Sequence, residues 1–401
     1  MAKRAKARLT KPTKFITAKT MVRLDECSQT NSFNSSPLVP MTSKMKAVIL
    51  VGGEGTRLRP LTCNTPKSMV PILNRPFLEH LLGYLKRHGT TDVILAVGYL
   101  PDPIQSYLGD GTEFGLRLTY LVEKSPLGTA GAVKNAESLL DGPFIVFNGD
   151  ILTKIDLTTM TQLHQEVKPK VSIALTPVDD PTIYGVVETD AKRMVQRFVE
   201  KPSWDKVTTN MINAGIYILE PEVLAQISTS GPCMFENYLF PRLLEMGEPI
   251  LSYSSEAYWI DIGTPEKYLR ANYDLLLRWA ERSVPNEGRR QIHPGALLEE
   301  PVLIGEGCVI SYGAKIKGLS VLGARCQVGK GVVVDGAVVW HDSIIEEEAI
   351  LRNCVVCSHT RLGQGSHVLD NCVVGDSVNV DPGTTLAEGT QVWPPGYDES
   401  N

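Results

Sequence analysis

No window of this sequence comes near the roughly 18 consecutive apolar residues that a membrane-spanning helix requires. The eight cysteines show no zinc-site spacing, and the closest pair, Cys354 and Cys357, falls inside a repeat that accounts for one of them. Reduced thiols in a cytoplasmic protein are the plain reading of that usage. A basic surface is missing as well. Net charge is −5, yet residues 1–44 alone carry nine basic side chains against Asp25 and Glu26. Without that segment the remainder is at about −12, too acidic for the basic footprint of a nucleic-acid binder. An anionic substrate must then be held by a few placed cations and by backbone amides.

At 401 residues the chain exceeds what one hydrophobic core serves, so at least two domains are expected. Residues 1–44 are rich in Lys, Arg, Ser and Thr without hydrophobic periodicity, the composition of a basic disordered extension. An organellar transit peptide has the same character, and a translation start placed upstream of Met45 accounts for it equally well. From residue 45 to 285 strand and helix patterns alternate. Ala47–Val51, Asp92–Val97, Leu118–Val122 and Phe144–Phe147 read as short buried strands. Phe77–Leu85 puts Leu78, Leu81, Leu82 and Leu85 on one helical face before Gly89, and a second helix is expected over Thr129–Leu140. Tyr184–Glu188 and Met194–Val199 look like antiparallel additions. Thr264 and Pro265 read as the N-cap and first position of a helix through Arg282. This pattern predicts a Rossmann-like α/β domain on a mixed, mainly parallel sheet.

Residues 286–401 follow a different rule. An aliphatic residue recurs every six positions at Ile304, Ile310, Ile316, Leu322, Val328 and Val334, then Trp340. After a shift of four it resumes at Ile344, Ile350, Val356, Leu362, Val368, Val374, Val380, Leu386 and Val392. Small residues such as Cys308, Ala314, Ser320, Cys326, Cys354, Ser366 and Cys372 stand four places further on. Such hexapeptides predict a left-handed parallel β-helix with the aliphatic side chain inside and the small one at the tight corner. These cysteines are then small hydrophobes rather than ligands.

The chemistry concentrates after the first strand, in Gly52-Gly53-Glu54-Gly55-Thr56-Arg57-Leu58-Arg59-Pro60. Glycines there turn backbone N–H groups toward an anion, and the following cation adds charge. The run lacks both the Walker lysine and the third Rossmann glycine, so alone it is a weak sign. Together with Leu61-Thr62, Pro66-Lys67 and Pro71 it resembles the signature of the sugar-1-phosphate nucleotidyltransferases, the nucleotide-sugar pyrophosphorylases. Further stretches match in order: Pro126-Leu127-Gly128-Thr129-Ala130, Asn148-Gly149-Asp150, Glu200-Lys201-Pro202, Asn213-Ala214-Gly215 and Trp259-Ile260-Asp261-Ile262-Gly263. The resemblance covers about residues 45–395, and within the family it is greatest to the branch that transfers guanylyl groups to mannose 1-phosphate.

The resemblance implies a role for each matching position. Arg57 and Lys67 neutralise the triphosphate, while Asp150 and Asp261 converge to hold Mg²⁺, which prefers carboxylates, phosphate oxygens and water. These four are the expected catalytic residues. Leu50, Gly52, Gly53, Gly55, Thr56, Glu123 and Gly128 complete the nucleotide site. Gly185, Glu200, Lys201, Asn213 and Gly215 are the expected sugar-phosphate site, although Gly215 could equally serve close strand packing. The expected reaction is in-line attack of the sugar phosphate on the α-phosphorus with loss of pyrophosphate, driven by positioning and charge neutralisation. A homo-oligomer through the β-helix is expected, with no nucleic-acid or membrane partner. Alternatives are a glucose-1-phosphate uridylyl- or thymidylyltransferase, and a non-catalytic regulatory subunit, which the intact Arg57, Lys67, Asp150, Lys201 and Asp261 disfavour. An acyltransferase is a further alternative, because β-helix acyltransferases use a histidine at a coil boundary and His341 stands at the register shift. Otherwise His293, His341, His359 and His367 read as surface or turn residues.

Overall fold

A computed structural model describes residues 45–228, 231–280 and 289–397. The extension 1–44 and the boundary placed at 285 lie outside the described residues. The described residues form one compact unit.

The first half is a nine-stranded sheet flanked by helices. Strands β1 (Lys46–Leu50), β4 (Asp92–Val97), β5 (Arg117–Val122) and β6 (Phe144–Asn148) run parallel in the order β6-β1-β4-β5. The near-continuous apolar runs of β1, β4 and β6 are buried on both faces, as a parallel sheet covered by helices demands; β5, expected to be buried over Leu118–Val122, is an edge strand that buries only Leu118. Helix α1 (Phe77–Arg87) carries the expected leucine face into this core. The second predicted helix is shorter than its pattern: it spans Gly128–Asn135 and gives way to a 3₁₀ turn at Glu137–Leu139. Antiparallel pairing adds β8 (Val171–Pro177), β9 (Gly185–Thr189), β10 (Val195–Glu200) and β11 (Met211–Leu219), and β12 (Ile250–Ser254) joins parallel to β8.

One fork in this sheet matters for function. Along a single edge of β11, Ile212 pairs with β9, whereas Ile216–Leu219 pair with β6. Between the two partners stand Asn213, Ala214 and Gly215, at an irregularity in register. Gly215 has φ +69°, and a Cβ there would lie 2.4 Å from Ile151 Cδ1. Only glycine fits that turn.

The second half coils through eighteen two- or three-residue strands, β14 (Gln291–Ile292) to β31 (Gln391–Val392), stacked into three six-stranded parallel sheets. The expected interior positions from Ile304 to Val334 are buried, as are the small corner residues. The register shift falls elsewhere than expected. The interior continues through Val339, Ile345, Leu351 and Val356, so two hexads are shortened to five residues and no four-residue step occurs. Pairing accordingly advances 18 residues from Ile316 to Val334 but 17 from Leu322 to Val339. Gly336 and Asn353, both at positive φ, make the shortened corners.

Trp340, Ile344 and Ile350 therefore stand outside the coil. Trp340 packs into a core shared by both halves, with Leu58, Leu61, Ile72, Tyr268, Val321, Val338, Val355 and Cys357. Helix α6, described over Pro265–Ala280, is the wedge; its predicted end at Arg282 lies outside the described residues. Tyr268 Oη donates to Pro71 O at 2.5 Å and accepts from Trp340 Nε1 at 2.9 Å. Between β2 (Pro71–Ile72) and β3 (Arg75–Pro76), Leu73 and Asn74 form a two-residue turn with both φ positive. Asn74 Nδ2 reaches Leu322 O at 2.8 Å from that turn.

Because the core is shared, Trp340→Ala should cost about 3–5 kcal/mol and split one unfolding transition into two. Urea unfolding followed by intrinsic fluorescence and circular dichroism checks this; two coincident transitions with an unchanged midpoint would contradict it.

Candidate active site

The glycine loop leaves the carboxyl end of β1, where ligand sites of open α/β sheets lie. Gly52 and Gly98 approach so closely that a Cβ on Gly98 would lie 2.7 Å from Gly52 O. Four consecutive backbone N–H groups, Gly52 to Gly55, have no hydrogen-bond partner among the described residues. Gly55 is left-handed at φ +69° and leads into a short 3₁₀ turn, Thr56–Leu58. Thr62 Oγ1 donates to Gly55 O at 2.9 Å and pins the loop. Successive free N–H groups on a turning backbone make a concave, partially positive nest suited to phosphate. Arg57 and Thr56 are exposed at its rim.

Asp150 follows β6, one strand over. Gly149 N donates to Leu50 O at 2.9 Å, and a Cβ on Gly149 would lie 2.4 Å from that oxygen. A two-stranded ribbon then brings Asp261 alongside. Strand β7 (Ile151–Thr153) pairs antiparallel with β13 (Trp259–Asp261), setting Asp261 opposite Ile151, and Ile262 N donates to Asp150 O at 2.9 Å. Trp259 Nε1 donates to Ala214 O at 3.0 Å and ties the ribbon to the fork in β11.

Each carboxylate is held by an ammonium. Lys67 Nζ lies 2.6 Å from Asp150 Oδ2. Burial by itself would raise the Asp150 pKa, but Lys67 and then Arg57 outweigh it, and the carboxyl sits below its usual range. Lys267 Nζ lies 2.5 Å from Asp261 Oδ1 and 2.6 Å from Tyr184 Oη, which itself donates to that carboxylate oxygen at 2.6 Å. Burial, reinforced by Asp261, pushes the Tyr184 phenol up, so it stays a donor at neutral pH. Asp261 Oδ2 has no hydrogen bond among the described residues. It faces Gly263, beside the Arg57 guanidinium: a Cβ on Gly263 would lie 2.6 Å from Oδ2 and 3.3 Å from Arg57 Nη2. Arg57, Lys67, Asp150 and Asp261 thus meet in one place.

Neither Lys267 nor Tyr184 was among the expected residues. Lys267 stands in the first turn of α6, where the helix dipole disfavours a cation. That misplaced charge was a legible hint of a carboxylate partner. Thr264 acts as the expected cap, accepting from Lys267 N at 3.4 Å.

The other expected positions fall into two groups. Glu123 follows β5 and is half-buried, with Oε2 accepting from Leu127 N at 3.2 Å and Oε1 3.4 Å from the position of a Cβ on Gly52. Its carboxylate faces the glycine loop rather than open solvent. Gly128, at φ +75°, is where Cys233 O would meet a Cβ at 2.5 Å, so its glycine serves close packing. Across β9 and β10, Gly185 pairs with Glu200, and a Cβ on Gly185 would lie 2.9 Å from Glu200 Oε2. Lys201, at φ 45°, extends from the strand end with its ammonium 3.7 Å from Glu200 Oε1. Asn213 bridges the fork: Nδ2 donates to Tyr217 Oη at 2.7 Å, and Oδ1 accepts from Gly215 N at 2.9 Å. Glu236 lies behind it, 3.4 Å from Tyr217 Oη, with burial raising its pKa.

A nest for phosphate, two cations and a pair of carboxylates at a sheet's carboxyl edge suit the transfer of a charged phosphoryl species. Residues 46–277 match the nucleotidyl transferase family model, and the chain belongs to that family, as a sugar-1-phosphate nucleotidyltransferase. Residues 284–386 match the left-handed β-helix domain of the eIF2B epsilon subunit. The mannose-1-phosphate guanylyltransferase of Mycobacterium tuberculosis is 36% identical over 313 residues, covering 78% of this chain and 84% of its own. A UTP–glucose-1-phosphate uridylyltransferase of Synechocystis is 35% identical, covering 75% of this chain and 84% of its own. Among solved structures, HddC from Yersinia pseudotuberculosis aligns with TM-score 0.51 at 32% identity, covering 58% of this chain and 99% of HddC, and a second structure of it is complexed with GMP-PN.

Removing the ammonium beside Asp150 should raise its pKa. In Lys67→Met burial acts with less opposition, Arg57 remaining, so the carboxyl should titrate higher than in the wild type. Carbon-detected NMR titration of the aspartates checks this, and an unchanged or lower pKa would contradict it.

Proposed function

We propose that this nucleotidyltransferase joins GTP to mannose 1-phosphate, giving GDP-mannose and pyrophosphate, with Mg²⁺ as cofactor. The observation that carries the choice of base is the Glu123 carboxylate facing the glycine loop. A carboxylate only accepts, and guanine presents N1–H and N2–H side by side. Its hydrogen bond to Leu127 N leaves lone pairs on both oxygens for those donors. Uracil or thymine would set a carbonyl against the charge. The relatives named as mannose-1-phosphate guanylyltransferases support the choice of sugar.

The remaining roles follow from position. The Gly52–Gly55 amides and Thr56 cradle the triphosphate with Arg57 and Lys67, and Leu50 and Gly128 shape the walls. Glu200 accepts from sugar hydroxyls, Lys201 grips the sugar phosphate, and Gly185, Asn213 and Gly215 line the pocket at the fork in β11. Asp150 and Asp261 fit a magnesium ion, since they offer oxygen donors from one ribbon and Asp261 Oδ2 has no hydrogen-bond partner among the described residues. Bound there, the ion would neutralise charge on the phosphate oxygens as the α-phosphorus is attacked. Lys67 and Lys267 would have to yield part of their contact to it. The sugar phosphate is anionic at neutral pH, so the chain supplies position and charge and no nucleophile.

Asp150→Asn and Asp261→Asn should each abolish turnover while sparing triphosphate binding, and the double variant should be little worse, because the pair acts as a unit. Turnover within a few-fold of wild type in either single variant would remove the assignment.

The base is tested by kcat/KM for GTP, UTP, dTTP and ATP with mannose 1-phosphate, in wild type and Glu123→Gln. An unpaired buried polar group costs roughly 1–3 kcal/mol, so GTP should lead by about tenfold or more and lose much of that lead in the variant. A wild-type preference for UTP or dTTP favours the uridylyl- or thymidylyltransferase reading.

We also propose self-association through the β-helix, whose Leu297, Val309 and Tyr312 are exposed. Light scattering at micromolar concentration should show an oligomer that is lost on deletion from Arg289 onward; a monomer in both cases would contradict it.

A further inference from the structure

Outside the active site, His341, Asp342 and His359 bring their ligand atoms within 4.8 Å of one another. The β-helix itself builds this cluster. Arg325, Asp342, His359 and Ser377 occupy the same left-handed corner of successive coils, at φ 58° to 60°. Equivalent strand positions are one 17-residue coil apart here, as in Ile345 and Leu362, so residues 342 and 359 stack directly. Neighbouring coils lie about 4.8 Å apart, a spacing that suits two side chains sharing one ion.

The donor geometry is specific. His341 Nδ1 lies 2.9 Å from Asp342 Oδ2, and His359 Nε2 lies 4.0 Å from the same oxygen. The two imidazoles meet edge to face at 5.2 Å, with their planes at 87°. The other nitrogen of His359, Nδ1, is 3.2 Å from Asp376 Oδ1. A proton on Nδ1 shared with Asp376 leaves the Nε2 lone pair directed at Asp342, which is the carboxylate–histidine relay found behind metal-bound imidazoles. Arg325 holds Asp342 from the far side, Nε donating to Oδ1 at 2.6 Å and Nη2 to Oδ2 at 2.5 Å. That fork keeps the carboxyl ionised, its pKa pulled down to about 2, and each carboxylate oxygen has a second lone pair to give.

We propose that His341, Asp342 and His359 form a binding site for a borderline divalent cation of the zinc type, joining two successive coils of the β-helix. Two imidazole nitrogens and one carboxylate oxygen, with water as the fourth ligand, suit zinc. Tetrahedral donors about 2.0–2.1 Å from zinc stand roughly 3.3 Å apart, between the 2.9 and 4.0 Å separations here. Magnesium prefers all-oxygen ligands and would favour the aspartates of the active site.

The test uses the full-length protein with magnesium in excess, so that Asp150 and Asp261 are occupied. Zinc chloride is titrated calorimetrically, and cobalt(II) chloride by visible absorption. Wild type should bind one zinc, give a tetrahedral cobalt spectrum and melt at higher temperature with zinc. His341→Ala and His359→Ala should each weaken zinc by at least about tenfold while keeping the zinc-free melting temperature. Asp376→Asn should weaken it by roughly 10-fold to 100-fold through the relay. Equal zinc affinity in wild type and both histidine variants would overturn the proposal. So would the absence of zinc uptake by wild type, which would mean that a proton on His359 alone bridges Asp342 and Asp376.

Discussion

The antiparallel pairing of β7 with β13 is the constraint on which the active site depends. Asp150 and Asp261 are far apart in sequence, the first following β6 midway along the first domain and the second ending β13 near that domain's close. The bond from Ile262 N to Asp150 O, and the pairing of Asp261 with Ile151, set both carboxylates at one edge of the sheet. Two anions placed so close repel unless compensated. Lys67 and Lys267 supply that compensation, each in direct contact with one carboxylate.

The same segment also joins the two halves of the molecule. Asp261 ends the ribbon, and α6 begins a few residues later, with Tyr268 and Tyr273 reaching the β-helix and Asn272 meeting the β2–β3 turn. Asn272 is fully buried yet satisfied, accepting from Leu73 N and donating to Tyr268 O, both at 3.0 Å. Tyr273 Oη donates to Gly336 O at one of the shortened corners. The two five-residue hexads thus lie near helix α6, and the outward Trp340 belongs to the interface rather than to the coil. The β7–β13 ribbon, wedge helix and β-helix form one packed body.

Much of this was legible because it was periodic or carried by a local motif. The parallel strands, the leucine face of α1, the cap at Thr264 and most of the β-helix interior follow from spacing alone. Val339, Ile345 and Leu351 were missed for a physical reason. Trp340, Ile344 and Ile350 are adjacent apolar residues that pattern equally well, and only packing against Tyr268 tells outside from inside at Trp340. The meeting of Arg57, Lys67, Asp150 and Asp261 was anticipated from ordered motifs. Lys267 and Tyr184 were not, since their contacts depend on how β13, α6 and the start of β9 assemble. Gly215 carried two readings in the sequence, and its positive φ beside Ile151 and Asn148 favours close packing; Gly128 was read only as a nucleotide-site residue, and its packing against the Cys233 backbone had no sequence signal.

Under the proposed function the protein would contribute a nest of amides, placed cations and two carboxylates sharing one divalent cation, and no covalent chemistry of its own. Electron paramagnetic resonance of Mn²⁺, titrated into the protein with a non-hydrolysable GTP analogue, tests that claim most directly. The account predicts one tight ion in the wild-type complex, lost equally in Asp150→Asn and in Asp261→Asn. Tight binding that survives either substitution would contradict it, because the two carboxylates would then not share an ion.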